Sequence, residues 1–386
     1  MGAAVILVGV ALMIIIHEGA HFVAAKAFGM KATEAFFGFG PTLWSIRRGE
    51  TEYGVKLLPL GGYVKIIGMN PFEEVDPDDE ARTYRGAPFW KKSVVVLAGI
   101  ASHLVVAYLI FLAVAAVYGL PRLDDRGAPI PTTVIAGVAE TLPDGSPTPA
   151  ALAGVRPGDR IVEIEGRPVE RWEDFTTVVA ARPGGEVTLV VERDGARRTL
   201  QVELASIERP VIVDGEPLLA DDGSPVTELV GFFGVSPEVE TYRPGLLEAA
   251  TTAAGDLAVA IRQSVVGLWQ LVVNFGRVLG ATIGLTSDEI LEEVRPISPI
   301  GLARIAGPVE RSLVLLALVN VFVAVLNIVP LYPLDGGHFA VALYEKLTGR
   351  APDVRRLVPV AVVVFAFVIS LGLIGVYLDI FKPLGR

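Results

Sequence analysis

Long apolar runs alternate with mixed, charge-bearing stretches along this chain. Four runs have the length of about 20 residues that carries a helix across a bilayer. They are Ala3 to Phe28, Ser93 to Tyr118, Ser312 to about Leu334 and Leu357 to about Leu378. A fifth stretch, Leu246 to Leu285, is nearly long enough but carries Asp256, Arg262, Asn274 and Arg277. Its polar content fits an interfacial amphipathic helix over 246–290.

Between the runs the pattern changes. Residues 29–92 contain "TLWSIRRGETEYGVKLLPLGGYVKIIG", strand-like segments broken at Arg48-Gly49-Glu50 and Gly61-Gly62. They predict a short hairpin or three-stranded sheet beside the membrane, with Phe36, Phe37, Phe39, Leu43 and Trp44 placed to dip into the interface. Residues 132–207 predict a small α+β domain. "GDRIVEIEG" reads as a strand and turn, "WEDFTTVVAA" as a helix, and "VTLVVERDGARRTLQVEL" as a hairpin turning at Asp194-Gly195. A linker is expected over 208–245.

Composition supports membrane spans with a soluble part. The chain is 52% hydrophobic and 20% charged over 386 residues. With no cysteine, disulfides, thiolate metal sites and cysteine nucleophiles are excluded. Its net charge of −10 includes no basic tract, so nucleic acid is not an expected partner. The acidic run Glu73 to Glu80 reads as a solvated loop. The N-terminal run lacks the positive leader and cleavage site of a signal peptide, and is expected to stay as a membrane helix.

Lysine and arginine set the orientation. They are dense from Lys26 to Lys92 and recur at Lys346, Arg350, Arg355 and Arg356, whereas none precedes the first run. Those loops are therefore expected in the cytoplasm, with the N-terminus and the 132–207 domain outside.

The chemistry lies inside the first run. "IIIHEGAHFV" places His17, Glu18 and His21 in the middle of an apolar helix, where ionisable groups are costly and functional by default. His17 and His21 are four apart and share a face. H-E-x-x-H is the zinc signature in which the glutamate serves as base. A catalytic zinc needs a third protein ligand. Candidates in other apolar runs are Asp335 and His338 in "NIVPLYPLDGGH" and His103 in the second run. Asp335 fits best, as a hard anion that offsets the metal's charge. Pro330 and Pro333 should end the helix before it, and Gly336-Gly337 should let the backbone approach. For His17 and Asp335 to meet, the first and third runs must point the same way, so the Leu246–Leu285 stretch should stay at the outer surface.

Two resemblances follow. "SPTPAALAGVRPGDRIVEIEGRPV" is similar to the core of a bacterial PDZ domain, which implies a peptide ligand added as a strand or a steric filter. H-E-x-x-H in the first run, "GFGPTLWS", "YGVKLLPLGGYVKIIGM", "AGIASH", "ISPIGLARIA" and "NIVPLYPLDGG" together resemble the site-two protease family of intramembrane zinc metalloproteases. The likeness covers nearly the whole chain and is to the bacterial branch, of actinobacterial type with one PDZ domain. It implies a polytopic α-helical protein of the plasma membrane with about four transmembrane helices (1–28, 93–118, 311–338 and 357–380), a membrane-associated β-hairpin over 29–92 and an extracytoplasmic PDZ domain.

It further implies Zn²⁺ held by His17, His21 and Asp335, Glu18 as base, and Asn327 contacting the substrate or oxyanion. Its substrates would be single-span membrane proteins such as anti-sigma factors, or signal-peptide remnants, cut in the cytoplasmic half of the lipid bilayer. "AGIASH" departs from the family: Ile100 stands where a proline is usual and His103 where an asparagine is usual. His103 is a further candidate for contact with substrate. Two other readings of the polar residues are a metal or proton transporter and an inactive PDZ adaptor.

Overall fold

A computed structural model describes residues 1–70, 73–142, 144–213, 216–220, 224–350 and 353–382. The chain forms two compact units, one holding Met1–Tyr118 and the chain from Pro244 onward, the other Gly119–Arg243.

Helix α1 spans Gly2–Ala27. It ends because Gly29 takes φ +76, so that the Met30 N–H reaches Ala25 O and the Gly29 N–H reaches Lys26 O. That pairing satisfies the last carbonyls of the helix. Strands β1 (Ala32–Arg48) and β2 (Thr51–Ile66) follow. Gly38 and Gly40 adopt φ +90 and +84, which lets β1 double back on itself. Gly54 consequently faces both Phe36 and Ser45. The result is four runs in the order 62–66, 32–37, 51–56 and 42–48, with the two outer pairs antiparallel and the central pair in parallel register, one more than the three-stranded expectation. Phe36 is buried within this sheet, while Phe39, Leu43 and Trp44 are exposed. Helix α2 (Phe89–Tyr118) ends at Gly119, which takes φ +89.

The second unit is built on a sheet ordered β9-β3-β4-β5-β6. Its strands are β3 (Pro131–Val138), β4 (Arg160–Ile164), β5 (Glu186–Arg193), β6 (Ala196–Glu203) and β9 (Val235–Val239). Helix α3 (Trp172–Ala180) buries Phe175 and Val179 among Ile135, Ile161, Leu189 and Val191. Asp194 and Gly195, both at positive φ, make the two-residue turn between β5 and β6. The expected linker 208–245 is different in the structure. Strand β7 (Ala205–Pro210) pairs with β8 (Thr227–Phe232), and β9 joins the main sheet beside β3. The physical reason is apolar: Phe233 is buried in the core and Val235 packs against it. Residues 214–215 and 221–223 of that stretch lie outside the described residues.

The chain then returns to the helical unit. Helices α4 (Leu246–Val273) and α5 (Phe275–Thr282) meet at Asn274, where one interfacial helix over 246–290 was expected. α4 is long and apolar enough to cross a bilayer, as are α1, α2 and two later helices. It packs Ala253 and Ala260 against Ala107, Phe111, Ala317 and Val321. α5 turns onto the last helix, α9 (Val354–Phe381), through Phe275 on Phe367 and through Val278 and Ala281 near Ile374 and Leu378.

Between them lie α6 (Pro299–Ile305), α7 (Val309–Ile328) and α8 (Asp335–Thr348). The expected span 311–338 is thus two helices. α7 stops before Pro330, which cannot continue the hydrogen-bond ladder, and Asp335 opens α8.

The ends of the helical unit are distinct. At one, Gly2 packs on Gly307 and Ser312, and the Ser298 N–H donates to Asp379 Oδ2 at 2.7 Å. At the other, Lys92 donates to Glu345 at 2.6 Å, and Glu50 is gripped by Lys26 and Arg82. Helices α1 and α7 therefore start at the same end and run in parallel. Residues 298–312 return to the end where α1 begins.

Candidate metal centre

The helical period decides the first half of the site. His17 and His21 are one turn apart on α1, and their Nε2 atoms lie 3.3 Å apart with rings at 87°. Asp335 is delivered by the break between α7 and α8. Its Oδ2 lies 3.6 Å from His17 Nε2 and 3.4 Å from His21 Nε2. As the first residue of α8 it also sits where the helix dipole favours a carboxylate.

Gly336 and Gly337 serve this approach by lacking side chains, since a Cβ at either would collide with backbone between Ile328 and Tyr332. Both lie inside the helix rather than at a reversal of the chain. Gly99 plays the same part on α2, where a Cβ would strike the rings of His21 and His17.

A tetrahedral zinc with bonds of about 2.0–2.2 Å holds its ligand atoms about 3.3–3.6 Å apart. The three separations fall in that range. The donor set of two imidazoles and a carboxylate suits the same ion. His21 donates from Nδ1 to Val95 O at 2.8 Å, which leaves its Nε2 lone pair for a metal. Asp335 Oδ2 and His17 Nδ1 are buried with no hydrogen-bond partner among the described residues. An unpaired buried acceptor is costly, and at Asp335 a cation would remove that cost. The residues fit the ion.

Glu18 lies beside this cluster, on the cavity side of α1. It lines a cavity of about 360 Å³ between α1 and the β1–β2 sheet, with Ile14, Phe22, Phe36, Tyr53 and Val64. A Cβ at Gly62 would stand 3.2 Å from Glu18 Cγ, so the bare backbone of the 62–66 edge run comes close to the carboxylate.

The remaining sequence candidates separate. His103 is 2% exposed and stacks on His17 with centroids 4.7 Å apart, outside the ligand triad. His338 is also outside it. His338 packs at a tilt of 59° against Tyr332 and lines a second cavity of about 550 Å³ with Tyr63, Lys65, Met69 and Glu73. Asn327, in the last turn of α7, is half-buried and its side chain makes no hydrogen bond among the described residues. Asn320, which sequence reasoning missed, is fully buried and bonded to His103 at 3.1 Å. An amide inside an apolar span was the signal that marked it. Val95 and Gly99 carried no such signal, since a carbonyl and a missing Cβ leave no mark on hydropathy.

Residues 5–371 match the model of peptidase family M50. The chain is 36% identical to zinc metalloprotease Rip1 of Mycobacterium tuberculosis over 99% of this chain and 96% of that protein. It is 35% identical to zinc metalloprotease Rip1 of Mycolicibacterium smegmatis over 99% of this chain and 97% of that protein. With a match over nearly its whole length and H-E-x-x-H in an apolar helix, the chain belongs to peptidase family M50, the site-two proteases, and is a zinc metalloendopeptidase.

Proposed function

We propose that the protein cleaves transmembrane segments of membrane proteins, with His17, His21 and Asp335 as the zinc ligands and Glu18 as the proton carrier. The observation that carries this reading is the triad itself: three ligand atoms at zinc spacing, seated against a helix long and apolar enough to span a bilayer.

When bound, zinc supplies a Lewis acid that lowers the pKa of its water and polarises the scissile carbonyl. Glu18 stands beside the ligands on the cavity side, where its carboxylate takes a proton from the attacking water and returns it to the departing amine. The substrate must be extended there, because a helix hides its carbonyls in internal hydrogen bonds. The 62–66 run is a sheet edge beside Glu18, which suits strand addition. Asn327 is assigned to the substrate backbone or the oxyanion, a role for an amide otherwise without a partner.

The finer reading extends to topology and substrate. The basic loops put Lys26, Arg82 and Lys92 in the cytoplasm, and hence the N-terminus outside. With α1 and α7 parallel and 298–312 at the α1 start, α4 and α5 dip and return rather than reversing the later helices. The 119–243 unit is read as an extracytoplasmic PDZ domain that reads or filters substrate ends. Single-span proteins already shortened outside, such as anti-sigma factors, or signal-peptide remnants, are the expected substrates in the plasma membrane.

The test is zinc content and cleavage of a single-span model substrate by wild type and Glu18→Gln. Zinc in both and cleavage by wild type alone is expected. Cleavage by the variant at the wild-type rate would overturn the role given to Glu18.

A further inference from the structure

A metal-bound histidine usually donates its second ring nitrogen to a carbonyl or carboxylate, which fixes the plane of the ring. His21 follows that rule through Val95 O. His17 does not. Among the described residues its buried Nδ1 has no partner at strict hydrogen-bond geometry, and the Gly99 backbone beside the ring makes at most a loose contact with it. The ring lacks the strong edge contact that His21 has through Val95 O.

The face of His17 is covered by His103, with centroids 4.7 Å apart and planes at 27°. His103 is itself fixed. Asn320 donates from Nδ2 to Leu316 O at 2.9 Å, so its amide oxygen faces His103. His103 Nδ1 lies 3.1 Å from that oxygen and must be the donor. Both His103 and Asn320 are almost wholly buried, so neither rotates without repacking α2 or α7.

We propose that His103 is a positioning residue for zinc: it clamps the His17 imidazole by stacking, and Asn320 clamps His103. The inference rests on the zinc reading given above. It puts the constraint on the ring's face where His21 has it on the ring's edge. A chain of contacts from Leu316 through Asn320 and His103 to His17 then ties α7, α2 and α1 together at the metal.

Full-length protein in detergent, loaded with zinc, tests this by release of the metal to a competing chelator. The absorption spectrum of the cobalt-substituted protein gives a second readout. His103→Ala should release zinc about 10-fold faster and alter the cobalt spectrum. His103→Phe, which keeps an aromatic face, should restore most of the wild-type behaviour. Asn320→Ala leaves His103 in place and should shift both readouts the same way by less. Unchanged release and spectrum in His103→Ala would overturn the proposal. So would a His103→Phe variant as impaired as His103→Ala, since that would make the imidazole nitrogen, not the ring face, the working part. A wild-type protein that holds no zinc would sink the metal reading itself.

Discussion

Two carboxylates, one in each unit, each with an oxygen out of solvent, sit in opposite kinds of surroundings. Asp159 is 1% exposed and satisfied on both oxygens. Oδ1 accepts from Arg193 Nε at 2.7 Å, and Oδ2 accepts from Arg193 Nη2 at 2.7 Å and from the Arg156 N–H at 2.8 Å. Asp335 instead turns a buried oxygen toward two imidazoles that do not complete a hydrogen bond with it. A charge that is forked by arginine and bonded by backbone holds a loop in shape. A charge left open beside two lone pairs is arranged for something that arrives later. Burial alone does not separate structure from chemistry here; the state of the second partner does.

The largest effect expected is at the open carboxylate. Asp335→Ala should empty the site of zinc and abolish cleavage, read by metal analysis of the purified protein and by the model-substrate assay. Retained stoichiometric zinc would break the contrast with Asp159. Next comes Glu18→Gln, which should keep zinc but slow cleavage about 10²–10⁴-fold, the usual weight of general acid–base catalysis.

Gly99→Ala is smaller. Its methyl group must displace the His21 and His17 rings, so zinc affinity should fall about 10-fold in chelator competition. Normal affinity would show that α2 yields more easily than its packing suggests.

The smallest expected effect lies at the satisfied carboxylate. Burial by itself would raise the Asp159 carboxyl, but the Arg193 fork and the Arg156 N–H outweigh it and hold the group below the usual carboxylate range. Its folded pKa is therefore depressed. The stability it contributes is present above the unfolded pKa of about 3.9 and is lost as pH falls through the lower folded value. Arg193→Met should lower the unfolding midpoint of the 119–243 unit by about 5 °C at neutral pH and flatten the acid limb of its pH profile. Zinc content should not change. A loss of zinc in that variant would mean that the two carboxylates are not independent.

Much of this was legible without coordinates. The H-E-x-x-H face follows from the 3.6-residue period, and the apolar length of α1 follows from composition. The Asp194-Gly195 turn was visible because residues at positive φ are few in kind. The doubled β1 was not. Its cause is a pair of glycines, Gly38 and Gly40, whose left-handed angles look from sequence like ordinary strand interruptions. The division of 246–290 at Asn274 was hidden for a similar reason, since hydropathy averages over a one-residue break. β9 was missed because its apolar residues count only once a sheet edge is waiting beside them.

By itself, then, the sequence determined the pair of imidazoles, the carboxylate next to them, and the apolar helix that carries all three. These depend on residues within one or two turns, where helix geometry leaves no freedom. Which distant group completes the set was decided by tertiary structure. Asp335, His338 and His103 were all chemically able, and hydropathy places each in or beside an apolar run. Only the packing of α2, α7 and α8 against α1 brings Asp335 Oδ2 to His17 and His21, turns His338 toward Tyr332, and stacks His103 at 27° on His17. That choice rests on where α7 stops before Pro330 and on glycines that let backbones touch, contacts between residues hundreds of positions apart that no local period encodes.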